Sequence, residues 1–120
     1  MKTINESEIN KLQKLNNMPK GVTCYLANMP APEIPLASVY SVLEKGSEIS
    51  CNIENNCEIV FIRKGKIHIT TPEYEKILSS GDIAFISSTN NKGDKVIYKA
   101  LEDSIAISVE HHPQMNITDQ

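Results

Sequence analysis

The chain has 120 residues, 40% of them hydrophobic, and a formal net charge of −3 at pH 7. This length suits a single domain with one core, and an acidic chain without a basic cluster is a poor candidate for binding nucleic acid. No apolar run approaches the ~20 residues of a membrane-spanning helix, and the N-terminus lacks an apolar signal region, so we expect a cytoplasmic protein that binds neither nucleic acid nor membrane.

Residues 1–18 predict a short amphipathic helix. Ile9, Leu12 and Leu15 recur at the spacing of one helix face, and Pro19 ends the pattern. Because so short a helix is marginal alone, we expect it to pack on the rest of the domain or on a second subunit.

Short alternating or apolar runs separated by turn residues follow along the remaining chain. We predict strands at Val22–Ala27, Leu36–Glu44, Ile49–Ile53, Cys57–Arg63, Lys66–Thr71, Tyr74–Leu78, Asp82–Ile86, Val96–Ala100 and Ser104–Glu110. The proline-rich segment 29–35 and the turn-rich segment 87–95 are predicted loops. Eight or nine short strands with no helix between them indicate an antiparallel sandwich or barrel.

The central stretch, residues 46–65, carries the clearest pattern. Ile49, Cys51 and Ile53 alternate with polar residues, as in a half-buried strand. An Asn-Asn pair breaks the alternation, a nearly continuous apolar run follows, and Lys64-Gly65 predicts a tight turn. We predict three consecutive antiparallel strands across residues 46–71.

The same stretch resembles the first motif of the cupin family. That motif runs Gly, five residues, His, one residue, His, three or four residues, Glu, six residues, Gly. The spacing is met here by Gly46, Asn52, Glu54, Glu58 and Gly65, of which the glycines and Glu58 keep the family's residue types. Both histidines are replaced.

A second resemblance begins at residues 81–86, which look like the start of the second cupin motif. Ser87, Thr89 and Lys92 stand where that motif has Pro, Gly and His. Together the two motifs cover roughly residues 36–110 and imply an all-β, cupin-like antiparallel β-barrel, or jelly roll. We expect an N-terminal helical segment at 1–20, the barrel at 21–112 and a C-terminal tail at 113–120.

The resemblance also implies where a binding site lies. In metal-binding cupins the motif positions converge inside the barrel, so carry-over puts Asn52, Glu54 and Glu58 in the cavity, with Lys92 at the fourth position. Amide and carboxylate oxygens suit Mg, Ca or Mn better than iron, nickel or zinc, and an ammonium repels a cation. We therefore predict no metal and no cofactor.

The register of the first central strand is ambiguous. Alternation puts Ile49, Cys51 and Ile53 in the core, whereas the resemblance puts Asn52 and Glu54 in the cavity. Both hold only if the apolar face packs on the helix, on another sheet or on a second subunit. This conflict favours a homodimer.

Other residues with chemical potential are fewer. Tyr40, with two further tyrosines, could line a ligand pocket, and His68 lies on a strand facing water or the cavity mouth. His111-His112 read as surface residues. Cys51 is interpreted as a small core residue, although it flanks a turn with Cys57 and could pair with it.

Three functions remain open, and no catalytic residue is assigned. The leading one is binding of a small polar molecule, a sugar or carboxylate, without a transition metal, at Asn52, Glu54, Glu58, His68, Tyr40 and Lys92. Some metal-poor cupins of this kind resemble ethanolamine-utilisation accessory proteins. The second is an isomerase or lyase that uses Glu54 and Glu58 as general acid and base, with or without a weakly bound divalent metal. The third is an effector-sensing domain resembling the arm of AraC-type regulators, against which the lack of room for a helix-turn-helix counts.

Overall fold

A computed structural model describes residues 1–111. This part of the chain contains one short 3₁₀ helix, Glu6–Lys11, and nine strands. The strands are β1 Val22–Asn28, β2 Leu36–Leu43, β3 Glu48–Asn52, β4 Glu58–Lys64, β5 Lys66–Thr71, β6 Tyr74–Ser79, β7 Ile83–Ile86, β8 Lys95–Ala100 and β9 Ser104–His111. Within residues 1–111, no helix has both the length and the apolar character that crossing a bilayer requires.

The strands form two antiparallel sheets that face each other. One sheet has the order β1-β2-β9-β4-β7 and the other β3-β8-β5-β6. Strands β2 to β9 thus divide into two groups of four, the arrangement of a jelly roll, and β1 extends one edge. The predicted all-β class and barrel type are confirmed, and each predicted strand is present to within a few residues at its ends.

The predicted pairing of the three central strands is wrong. β3 pairs with β8, β4 pairs with β7 and β9, and β5 pairs with β6 and β8. The chain changes sheet after β3 and again between β4 and β5, where Gly65, at φ 86°, turns it within one residue. The strands β3, β4 and β5 therefore alternate between the two sheets and share no backbone hydrogen bonds with one another.

The core lies between the two sheets. Alternate residues of the strands, the edge strands included, supply it, as the period of two requires. The fully buried side chains are Leu43, Val60, Ile62, Ile67, Val96 and Ser104. Complete burial of each large aliphatic side chain stabilises the fold by roughly 1.5–3 kcal/mol.

The N-terminal helix is shorter than predicted. Only six residues are helical, although Ile9 is buried as expected. From Gln13 the chain runs extended along β1: Leu26 N–H donates to the Gln13 carbonyl at 2.8 Å, and Leu15 N–H donates to the Cys24 carbonyl at 2.9 Å. These bonds occupy part of the free edge of β1, so tertiary pairing overrides the helical pattern.

Candidate functional site

The register of β3 follows the alternation and not the motif carry-over. Ile53 belongs to the core, and Ile49 and Cys51 pack against it. Asn52 is exposed, and its side-chain oxygen accepts the backbone N–H of Glu54 at 2.7 Å. The side chains that face the barrel interior are thus Cys51 and Ile53, each one residue before the motif positions Asn52 and Glu54. The apolar face is already covered within one copy, so this strand offers no reason for a second subunit.

Glu54 and Lys92 belong to two loops at one end of the barrel. Glu54 is half-buried, and its carboxylate accepts the backbone N–H of Gly93 at 3.2 Å. Lys92 is exposed. These contacts tie the loop after β3 to the loop after β7. Neither residue joins Glu58, so the four motif positions do not converge.

Glu58 is the one motif position inside the barrel. It starts β4, is 6% exposed, and accepts a hydrogen bond from the Tyr98 hydroxyl. Glu110 lies directly opposite it on β9, and the two carboxyl groups are hydrogen-bonded. Burial is the main cause that raises the pKa of Glu58, to about 8; the Tyr98 bond lowers it, and Glu110 raises it further. Glu58 therefore holds a proton at neutral pH.

The groups around this carboxyl pair are neutral. Burial, and then the charge of Glu58, raises the pKa of Cys51 to about 12 and raises the pKa of Tyr98 well above its ordinary value. A thiol with so high a pKa is a poor nucleophile. Cys51 is therefore a packing residue, as predicted, and it forms no disulfide with the exposed Cys57.

Replacing Tyr98 with phenylalanine is expected to lower the free energy of unfolding by ~1–3 kcal/mol, because a buried carboxyl oxygen loses its donor. Urea denaturation measures the change. Tyr74→Phe is the matched control, since Tyr74 is largely exposed. Equal stability of the two variants would contradict the inferred role of the Tyr98 hydroxyl.

Tyr40 lies far from this interior pair, on the outer face of the five-stranded sheet. Its hydroxyl donates to Glu6 at 2.6 Å, and Glu6 also pairs with Arg63 at 3.2 Å. Burial, followed by the bond to Glu6, raises the pKa of Tyr40 to about 12. Tyr40 thus anchors the N-terminal helix to the sheet.

His68 lies on the outer face of the other sheet. Its Nε2 is 3.2 Å from a Glu75 carboxylate oxygen. His111 ends β9 and is half-buried, while His112 and the predicted tail lie outside the described residues. Ligand contact at His68, Tyr40, Asn52, Glu54 and Lys92 stays a prediction.

The residues present do not fit a cupin metal centre. Among residues 1–111, no three His, Cys, Asp or Glu side chains come together to hold an ion. Asn52 is exposed, Glu54 bonds to a loop amide, and Glu58 accepts a hydrogen bond from the Tyr98 hydroxyl. We therefore assign no step of any chemistry to a metal here.

A cleft of about 790 Å³ opens between the edge strands β6 and β7. Its floor is apolar and its rim consists of the β5–β6 turn and the loop after β7. The lining residues are Ile53, Ile69, Leu78, Ala84 and Ile86 in the floor, Ile83 and Phe85 on β7, and Thr71, Pro72, Glu73, Tyr74, Lys76, Ser87, Ser88, Thr89, Asn90, Asn91 and Asp94 at the rim. Glu58 does not line the cleft, but it lies beside the floor residue Ile86, its partner in the β4–β7 ladder.

The cleft was not among the features predicted from the sequence. The signal was segment 87–95, SSTNNKGDK, whose hydroxyl and amide side chains were interpreted only as turn formers. Among the described residues, the Thr89 hydroxyl is buried and has no hydrogen-bond partner. The loop forms a polar wall of the cleft through its hydroxyl and amide side chains, Ser87, Ser88, Asn90 and Asn91.

No protein-family model matches the chain, and no curated protein matches it in sequence. Solved structures do match. An RmlC-like cupin from Shewanella frigidimarina aligns with a TM-score of 0.69 and 14% identity over 86% of each chain. KdgF from Halomonas sp. aligns at 0.68 and 17% identity, over 86% of this chain and 90% of that one. Ectoine synthase from P. lautus aligns at 0.70 and 13% identity, over 93% and 78%.

Proposed function

The chain has the cupin fold, and from that premise we propose that it binds a small polar molecule in the cleft between β6 and β7. The observation that carries the proposal is the make-up of the cleft, an apolar floor beneath a rim of hydroxyl and amide groups. Concave sites of this size, apolar with a few polar groups that orient the ligand, are typical of small-molecule sites.

The charges of the rim favour a sugar over a small carboxylate. The charged lining residues are two carboxylates, Glu73 and Asp94, and one ammonium, Lys76. An anion would meet more repulsion than attraction there, whereas hydroxyl groups can pair with amide and hydroxyl side chains.

Thermal-shift and titration calorimetry with neutral sugars, sugar acids and small carboxylates test the proposal. A ligand at 100 times its dissociation constant is expected to stabilise the fold by ~2.7 kcal/mol. Asn90→Ala should weaken binding about fivefold, since ~1 kcal/mol is the usual value of one hydrogen bond. Asn16→Ala, an exposed change outside the cleft, is the control. A broad panel without any binder, or equal binding by both variants, would count against the cleft.

An enzyme is the second candidate, because one observation favours it. Glu58, whose pKa is raised to about 8, lies against a second carboxyl group, that of Glu110, and a carboxyl group with a raised pKa can serve as a general acid. The sequence predicted Glu54 as the partner of Glu58, but in the structure the partner is Glu110. Neither carboxyl group lines the cleft, so a substrate would have to displace Ile53 or Ile86. The enzyme hypothesis predicts that the protein converts a bound ligand, and that Glu58→Gln abolishes this turnover but still binds the ligand. That result would distinguish an enzyme from a simple binding protein.

We further propose that the protein binds its ligand without a transition metal. The donor set argues for it, because the side chains of Asn52, Glu54 and Glu58 each bond to other groups of the chain. Elemental analysis of protein purified without a histidine tag is expected to show no stoichiometric iron, manganese, nickel or zinc.

An effector-sensing role would use the same cleft and give the same binding results. A cytoplasmic location stays a prediction for cell fractionation.

A further inference from the structure

We propose that two copies of this chain associate through the outer faces of β4 and β7, with Phe85, Ile83 and Ile59 at the centre of the contact. This inference does not depend on the proposed ligand. Size measurements test it, and ligand assays do not.

The two strands present a continuous apolar surface. Ile59 pairs with Phe85 and Phe61 with Ile83 across the β4–β7 ladder, so all four share one face. Their opposite face is the core, which Val60 and Ile86 enter. The outer face nevertheless leaves Phe85 75%, Ile83 53% and Ile59 45% exposed.

Such strands are apolar on both faces, which is typical of strands covered on both sides. On the other half of this sheet the outer face has its cover, because Ile9 of the N-terminal helix lies with Tyr40 and Ile107. Among residues 1–111, nothing comparable covers the β4–β7 half. The face continues inward through half-buried Val109, which is the β9 neighbour of Ile59.

The chemistry of the patch suits a second copy of itself. None of the four central side chains carries a charge, so a two-fold contact brings no like charges together. The nearest charged side chain on this face of β4, Arg63, is already paired with Glu6. The patch offers on the order of 300 Å² of apolar side chain per copy. That is the right scale for the apolar core of a standard interface of ~800 Å² per partner.

The chain's own last residues are a poorer occupant. Segment 112–120, HPQMNITDQ, has two large aliphatic residues, Met115 and Ile117, against the three large exposed side chains of the patch. The patch also borders the candidate cleft, since Ile83 and Phe85 line both. In a dimer the second copy would therefore lie along the outer margin of the cleft.

Sedimentation velocity over a concentration series tests the association. The full chain is expected to be dimeric at tens of micromolar. The double variant Ile83→Ser, Phe85→Ser is expected to be monomeric there, with association weakened at least ~30-fold, which corresponds to the ~2 kcal/mol of one central hot-spot side chain. Ile77→Ser is the matched control. Ile77 is 54% exposed on the other sheet, and its replacement should leave the dimer intact.

Two further measurements keep the outcome decisive. In the unaltered protein, amide hydrogen exchange in β7 should slow as the protein concentration rises. This measurement does not depend on whether any variant folds. A chain lacking residues 112–120 should remain dimeric. A full-length chain that stays monomeric near ~1 mM, where an association weaker than ~4 kcal/mol escapes detection, would refute the proposal. So would a folded double variant that still dimerises.

Discussion

Replacing Gly65 with alanine is expected to lower the free energy of unfolding by ~3 kcal/mol or more, because a strained backbone and a steric clash combine there. Gly65 has φ 86°. A Cβ at this position would collide with the Ser104 side chain and lie 2.5 Å from the Asp103 carbonyl oxygen. Ser104 cannot yield easily, since it is 2% exposed and its hydroxyl accepts Lys66 N–H and donates to the Glu102 carbonyl. Urea denaturation measures the loss.

Gly46→Ala is the matched control for this prediction. Gly46 has nearly the same φ, 87°, but nothing lies within 4 Å of its added Cβ. Its replacement should cost only the left-handed backbone strain, ~1–2 kcal/mol. Equal destabilisation of the two variants would show that close packing at the β4–β5 crossing is not what makes Gly65 necessary.

Replacing Glu58 with glutamine is expected to flatten the pH dependence of stability between about pH 5 and 8. In the native protein the pKa of Glu58 is raised to about 8, above its ordinary 4.5. Between these values the folded state keeps a proton that the unfolded state has lost. The stability of the unaltered protein therefore falls as pH rises through this window, by up to ~1.4 kcal/mol per pH unit. Glutamine cannot lose a proton, so the variant gains relative stability toward pH 8.

Urea midpoints at pH 5, 6.5 and 8 make the comparison, and Glu54→Gln is the control. Glu54 was the sequence-predicted partner of Glu58, but its carboxylate bonds to Gly93 on the loop. If Glu54→Gln also removes the slope, or if Glu58→Gln leaves it unchanged, the carboxyl pair of Glu58 and Glu110 is not its source.

The two proposals attach different roles to the two sides of β7. Ile86 and Ala84 contribute to the floor of the cleft, whereas Phe85 and Ile83 reach its outer margin and the proposed dimer face. A ligand that orders the loop after β7 would therefore lie beside both the floor of the cleft and the proposed dimer face. Binding and association can be measured separately, because Asn90→Ala leaves the apolar patch intact.

The motif resemblance predicted the fold better than it predicted the site. Gly46, Glu58 and Gly65 match the cupin pattern and occupy the positions that shape the barrel or its interior. Asn52 matches by count only. A one-residue difference in strand parity sends a side chain to the opposite face, so counting from Gly46 put Asn52 in a cavity that Cys51 occupies.

The sequence by itself determined the nine strands, the loops between them and the all-β class, because alternation and turn-forming residues act over a few neighbouring positions. Only the tertiary structure decided which strands pair, that Glu110 is the partner of Glu58, and that segment 87–95 forms one wall of a cleft. Those features depend on contacts between residues far apart in the chain. Local spacing carries no information about them, since the chain sends β3, β4 and β5 to alternate sheets whereas β5 and β6 pair as neighbours.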